Sequence, residues 1–348
     1  MEPKVVGEGT YGCVIKPSLK CRNKRVNYTN RLAKVMRKND AADEYLEMKN
    51  ITKTPGIEKY IMSMPDICSP VLDSTFFNTV KKCENKKFPA LNPNDFRMLI
   101  FEDGGVSLRQ FEESVVSTLS NEDFYIFLTK VYDLLEGLCF FHLHDIVHHD
   151  INDKNVVYNI STGKFRFIDF GLMKKRSRLI VESKQSINSM ATSWSNFPPE
   201  YECANFNKFE GCRFNINYNT FISRVAYTFD WYSTGIMMSS FLEDVFRKKT
   251  WNIPPLGMQQ LIDFFERMGE PNINKRNYNI ETMKNEYKKI LKQNNIWLVK
   301  TPSPSENSIA IQNKFMKKKN MHLPEKSILF KHFKTKMKKY SVKKKRKK

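Results

Sequence analysis

Between Ser120 and His144 the apolar residues Phe124, Phe127, Leu128, Val131, Leu134, Leu135, Leu138 and Phe141 follow one another at steps of three and one, so that most have an apolar neighbour three or four positions away. That is the period of one helix face, and the Ser120 hydroxyl is suited to capping the first turn. The stripe predicts a long helix packed into a core rather than a cofactor box. Shorter patterns flank it. Val6 to Val14 reads as strand, glycine turn, strand; Arg31-Leu32-Ala33-Lys34-Val35 as a short apolar strand carrying one lysine; and Asp40 to Ile51 as a helix. Leu99-Ile100-Phe101-Glu102-Asp103-Gly104-Gly105 reads as a strand running out into a connection, and no internal repeat is visible.

The first pattern carries candidate chemistry. Without side chains at Gly7, Gly9 and Gly12 the backbone can lie close over a triphosphate, while Val6 and Val14 can roof an adenine ring. A dinucleotide-binding turn uses three glycines at similar spacing, but it needs a helix opening at the third. Here Val14, Ile15 and Pro17 follow, and a proline so early favours strand and turn. Lys34 is then placed to pair with α- and β-phosphates, provided that an acidic partner holds it. Glu44 and Glu47 are both available; the apolar Met48 and Ile51 just after Glu47 favour Glu47, with Glu44 as the second choice.

The long helix delivers the chain through Ile146-Val147 into His148-His149-Asp150. Asn155 follows the aspartate by five residues, and Asp169-Phe170-Gly171 begins fourteen residues after Asn155. A base for a hydroxyl proton and two metal-holding side chains at this spacing resemble the eukaryotic-type protein kinase family, over roughly residues 1 to 300. Pro198-Pro199-Glu200 is similar to the Ala-Pro-Glu that closes that family's activation segment. Asp230-Trp231-Tyr232-Ser233-Thr234-Gly235 resembles the start of its central large-lobe helix. Small-molecule kinases of the same fold generally lack these last two, which argues for a protein substrate.

The resemblance implies an α+β, bilobal fold: a small β-rich N-lobe over residues 1–103, a mostly helical C-lobe over 104–300, and a tail over 301–348. It implies ATP and Mg²⁺ as cofactors, with Asp150 accepting the substrate hydroxyl proton and Asn155 and Asp169 holding the metal. Lys34 with Glu47 would position the nucleotide, and Val157 would lie beneath adenine. Serine/threonine specificity is expected, because Ser193 lies where such kinases carry a threonine and the tryptophan-containing sequence of tyrosine kinases is absent. Dual specificity is the alternative. A different class, a kinase-fold scaffold that binds through its tail, is disfavoured because a scaffold needs no joint retention of Lys34, Asp150, Asn155 and Asp169.

Four departures carry information. His149 replaces the arginine that normally grips a phosphorylated activation loop, so activity is expected not to depend on phosphorylation there, although Ser177, Ser183, Ser186 and Ser189 are available. Asn152 stands where serine/threonine kinases carry lysine, which moves the expected γ-phosphate contact to Lys154. Leu32 stands where alanine is common two residues before the lysine, narrowing the adenine roof, and Pro198 replaces alanine.

Composition and charge add three expectations. The chain has 348 residues, 41% hydrophobic, which exceeds the roughly 250–300 that a two-lobed kinase needs. No run of 18 apolar residues predicts a membrane span, and the charged, glycine-rich opening lacks an apolar signal core, so an intracellular protein is expected. Seven cysteines, Cys13, Cys21, Cys68, Cys83, Cys139, Cys203 and Cys212, show no CxxC or zinc spacing and read as buried or free thiols of a reducing compartment, with Cys13 exposed in the glycine loop. Residues 317–348 hold fifteen Lys or Arg against the single acid Glu325, contributing +14 of the formal +21. Such a run is a solvated tail, a sequence-independent contact for nucleic acid or an anionic surface, or a nuclear import signal. Pro17 to Arg31 is a second basic stretch inserted between strands, a surface loop or a docking segment for an acidic partner.

Within kinases, Gly9-Thr10-Tyr11-Gly12-Cys13-Val14, then Lys16-Pro17 and Leu19-Lys20-Cys21, resembles the glycine-loop region of kinases encoded by large nucleocytoplasmic DNA viruses. That narrower resemblance implies action in host cytoplasm or packaging in a virion.

Overall fold

The computed structural model describes residues 2–9, 11–84, 88, 92–185, 197–200, 216–276 and 279–298. The chain divides into two compact units, Met1–Gly105 with Ile168–Gly171, and Val106–Phe167 with Leu172–Lys348. The short segment Ile168–Gly171 thus groups with the first unit although the sequence places it deep in the second half.

The first unit is built on an antiparallel sheet. Its strands are β1 (Lys4–Gly9), β2 (Gly12–Lys16), β3 (Cys21–Arg22), β4 (Arg31–Arg37), β5 (Asp66–Pro70) and β6 (Phe96–Glu102). They are arranged in the order β1-β2-β4-β6-β5-β3. Strand periodicity sorts the side chains. Cys13, Ile15, Ala33 and Val35 point to one face and are wholly buried in a core with Phe76, Phe96, Met98 and Ile100. The alternating residues Val14, Leu32 and Lys34 lie on the other face and are half-buried. Helix α1 (Lys38–Ile51) follows β4 directly and buries Ala41, Glu44, Met48 and Ile51 at helical spacing; helix α2 is Ser74–Val80.

The basic insertion is more than a surface loop. Its Cys21 and Arg22 pair with Pro70 and Ser69, adding β3 to the sheet edge beyond β5. A Cys21–Cys68 disulfide fastens that edge, the Cys21 backbone N–H donates to the Tyr28 hydroxyl at 2.8 Å, and Arg22, Lys24 and Arg25 stay exposed.

The second unit is mostly helical. It opens with β7 (Val106–Ser107) and α3 (Leu108–Ser114), then α4 (Asn121–Leu143), where the predicted stripe is buried and Ser120 Oγ accepts the Asp123 N–H at 3.0 Å. Strands β8 (Ile146–Val147), β9 (Val156–Asn159), β10 (Lys164–Phe167) and β11 (Lys174–Lys175) frame the loop after α4, and α5 (Arg176–Gln185) follows. Three further helices lie among the described residues: α6 (Tyr218–Lys248), α7 (Pro255–Met268) and α8 (Ile280–Gln293). The family resemblance puts Asp230 near the start of the central helix. It lies well inside α6, which begins at Tyr218 because Asn217 caps it by accepting the Thr220 N–H at 2.9 Å. The expected α+β class, with a β-rich first part and a helical second part, is the observed one. No described helix is long and apolar enough to cross a membrane.

The cysteine reading is corrected. Cys13 is buried rather than exposed, and it is bonded to Cys83; with Cys21–Cys68 this makes four of the seven cysteines disulfide-linked. Cys139 is a buried free thiol, while Cys203 and Cys212 lie outside the described residues. The missed signal was strand alternation: once Val14 is assigned to one face, Cys13 must take the other.

Candidate active site

In the first unit Lys34 is centred between two carboxylates. Its register partners on the sheet are Val14 and Leu99, and its ammonium reaches Glu44 at 2.7 Å and Asp169 at 3.0 Å. The preferred Glu47 is therefore replaced by Glu44 as the partner. The physical reason is helix phase: α1 turns Ala41, Glu44 and Met48 inward together, whereas Glu47 falls on a half-buried flank. Burial opposes the charge on Lys34, but Asp169 and Glu44 outweigh it and hold the ammonium above its ordinary value. Burial likewise pushes the Glu44 carboxyl up against the pull of Lys34. With one ammonium in contact with two carboxylates, the ionised arrangement is the one the geometry supports.

Asp169 takes a left-handed backbone, φ 64°, uncommon for a residue with a side chain. The glycine hairpin divides by cause. A Cβ on Gly12 would stand 2.4 Å from the Val35 carbonyl oxygen, so glycine there is required by the approach of β4. A Cβ on Gly7 or Gly9 would meet nothing closer than 3.6 Å and 4.0 Å respectively, leaving that part of the hairpin open to a ligand. Val6, Val14 and Leu32 are half-buried near it in sequence and register.

In the second unit the loop between β8 and β9 carries Asp150. Its two carboxylate oxygens are each held by an amide: Asn152 Nδ2 donates to Oδ1 at 3.0 Å and Asn155 Nδ2 to Oδ2 at 2.7 Å. Asn152 and Asn155 also donate to the Asp150 carbonyl, at 3.2 and 2.9 Å. Accepting hydrogen bonds favours the ionised carboxylate, the form a proton acceptor needs. Lys154 is exposed, its backbone N–H held by Asn152 Oδ1 at 2.9 Å; Val157 is buried in β9.

The same loop is anchored from below. The backbone N–H groups of His148 and His149 donate to Asp230 at 2.7 and 2.8 Å. Burial raises the Asp230 carboxyl to about 6, against those two hydrogen bonds and with Asp150 adding repulsion. His149 has φ 69°, and its ring stacks on Phe197, 5.3 Å between centroids, and lies 4.4 Å from Phe229. Burial, then the positive charges of Lys174 and His148, lower its pKa to about 3 despite Glu182. At neutral pH this histidine is an uncharged aromatic plug.

Three pairings were not read from the sequence. Glu200 forms a buried two-pronged ion pair with Arg276, at 2.6 and 3.1 Å, and the same guanidinium donates to Thr228 Oγ1 at 2.8 Å. Arg109 grips Asp153 with two 2.9 Å bonds. Ser177 donates its hydroxyl to Asp145 at 2.8 Å. No short-range pattern marks Arg276 or Arg109, whose partners lie tens of residues away. Ser186, Ser189 and Ser193 fall outside the described residues, as does the basic segment 317–348, and nothing is described of the Ser183 side chain.

Residues 2–295 match the protein kinase domain family. The chain belongs to that family. Among curated proteins it is similar to cyclin-dependent kinase 17 of Caenorhabditis elegans, 29% identical over 102 residues, 29% of this chain and 14% of that protein. It is also 24% identical over 194 residues to cyclin-dependent kinase-like 2 of Homo sapiens and of Pongo abelii, 56% of this chain and 33% of those proteins. The matches thus span a third or less of the relatives' own length. A protein kinase domain implies ATP and a divalent cation, and each unit by itself carries an oxygen donor of the kind such a cation takes. In the second unit the Asn155 amide spends its N–H groups on Asp150, which leaves its carbonyl oxygen as a hard donor; in the first unit Asp169 offers carboxylate oxygens.

Proposed function

We propose that this protein kinase domain transfers the γ-phosphate of ATP to serine or threonine hydroxyls of proteins, using Mg²⁺. The observation that carries the reading is the Lys34 ammonium fixed between Glu44 and Asp169: a binding scaffold has no need for a cation pinned by two acids beside an open glycine hairpin. Lys34 holds the α- and β-phosphates, and Val6, Val14, Leu32 and Val157 contact the adenine. Asp150, steadied by Asn152 and Asn155, accepts the hydroxyl proton, and Lys154 is the cation for the γ-phosphate. Asn155 and Asp169 would hold the metal, which would supply charge neutralisation on the phosphate oxygens.

The cyclin-dependent kinase relatives support serine/threonine over dual specificity. The glycine-loop resemblance supports a viral origin, hence action in host cytoplasm or virion. Fifteen basic residues in 317–348 support contact with nucleic acid or another anionic surface.

Phosphate transfer from labelled ATP with Mg²⁺ to a mixed protein substrate, wild type beside Asp150→Asn, tests the reading. Label on serine or threonine, reduced about 10²- to 10⁴-fold in the variant, is expected. Equal labelling by both proteins, or none by either under Mg²⁺ or Mn²⁺, would overturn it.

A further inference from the structure

Cys13, Cys83 and Glu8 bring two sulfurs and a carboxylate oxygen within 4.8 Å of one another. Three separate pieces of backbone supply them: β1, β2 and the segment beyond α2. Glu8 and Cys13 are direct register partners across the glycine hairpin. The Glu84 backbone N–H donates to both Glu8 oxygens, at 3.1 Å each, so the carboxylate is oriented by the residue next to Cys83. Hydrogen bonding of this kind, from a neighbour to a ligand group, is how metal sites fix their donors. Donors placed about 2.0–2.3 Å from a tetrahedral zinc stand about 3.3–3.8 Å apart; the Glu8 oxygen and the two sulfurs lie inside 4.8 Å of one another, and the sulfurs, bonded here, must separate to that spacing on reduction. The two sulfurs are buried and Glu8 is exposed, giving the cluster one open side for entry and for a water as fourth ligand.

We propose that, once the Cys13–Cys83 disulfide is reduced, these three residues form a binding site for one zinc-class dication. A dithiol reductant delivers two electrons and two protons to the sulfurs and is itself oxidised to its disulfide. The cation then displaces the two thiol protons to solvent and is held by two thiolates and the Glu8 carboxylate. Buried thiolates are costly without a cation, and a borderline-soft metal satisfies them. The glycine hairpin stays fastened to the segment after α2 in both states, by a covalent bond in one and by coordination in the other. None of this rests on the kinase reaction.

The full chain, reduced, stripped with a chelator and freed of both reagents under anaerobic conditions, is titrated with Zn²⁺ alone, and bound metal is released to a chromogenic chelator. One equivalent is expected for the wild type and for the Cys21→Ser/Cys68→Ser variant. Cys13→Ser/Cys83→Ser should bind none, and Glu8→Gln should bind at least about tenfold more weakly. No zinc in the reduced wild type, zinc retained without Cys13 and Cys83, or equal loss in the Cys21→Ser/Cys68→Ser variant would overturn the proposal. Should a cysteine variant fail to fold by circular dichroism, Co²⁺ added to the reduced wild type decides. A thiolate-to-cobalt charge-transfer band must appear, and its absence refutes the site.

Discussion

Replacing His149 by Phe should make the protein less sensitive to acid. The imidazole is buried between Phe197 and Phe229, and its pKa is lowered from 6.5 to about 3. The folded-state value lies below the unfolded one, so the contribution to stability is present above pH 6.5 and is lost as pH falls towards 3. Within that window the unfolded chain takes up one more proton than the folded chain, costing about 1.4 kcal/mol per pH unit. Between pH 6.5 and 4.5 that amounts to about 3 kcal/mol, and about 5 kcal/mol at pH 3. Phenylalanine keeps the ring packing and cannot titrate. Any strain it suffers at φ 69° is a constant offset that leaves the pH slope untouched. Carboxylates such as Asp230 remain in both proteins and cancel in the difference. Urea unfolding of wild type and His149→Phe at pH 7.5, 6.5, 5.5 and 4.5 measures that difference directly. The wild type should lose ground to the variant only below about pH 6.5. Parallel curves down to pH 4.5 would refute the buried, uncharged histidine.

Other outcomes follow from the same geometry. Glu44→Gln should lower kcat/KM for phosphate transfer by about 10²-fold through misplacement of Lys34, whereas Glu47→Gln should stay within a few-fold; the reverse order in a steady-state assay would return the role to Glu47. Arg276→Ala strands the buried Glu200 carboxylate and should cost about 3–5 kcal/mol in chemical denaturation, much of it recovered by also making Glu200→Leu. Gly12→Ala should destabilise by about 1–3 kcal/mol because its Cβ meets the Val35 carbonyl, while Gly9→Ala should be nearly neutral in thermal unfolding.

Local pattern was enough wherever the physics is local. The α4 stripe and its Ser120 cap, the glycine hairpin and the spacing from Asp150 to Asn155 all depend on neighbours within a few residues, and each is legible from the chain alone. Periodicity also contained more than was read from it: the phase of α1 separates Glu44 from Glu47, and alternation in β2 buries Cys13.

The linear chain carries which groups are present and how they repeat along short stretches: the lysine strand, the acid helix, the asparagines around Asp150 and the basic excess of 317–348. The partners drawn from far along the chain emerge only from packing. Asp169 joins Lys34 across 135 positions, Arg276 meets Glu200 across 76, and Cys83 meets Cys13 across 70. Backbone periodicity is set by bonds between near neighbours. Closing a long loop depends on the packing of the whole unit, which no short window of residues contains.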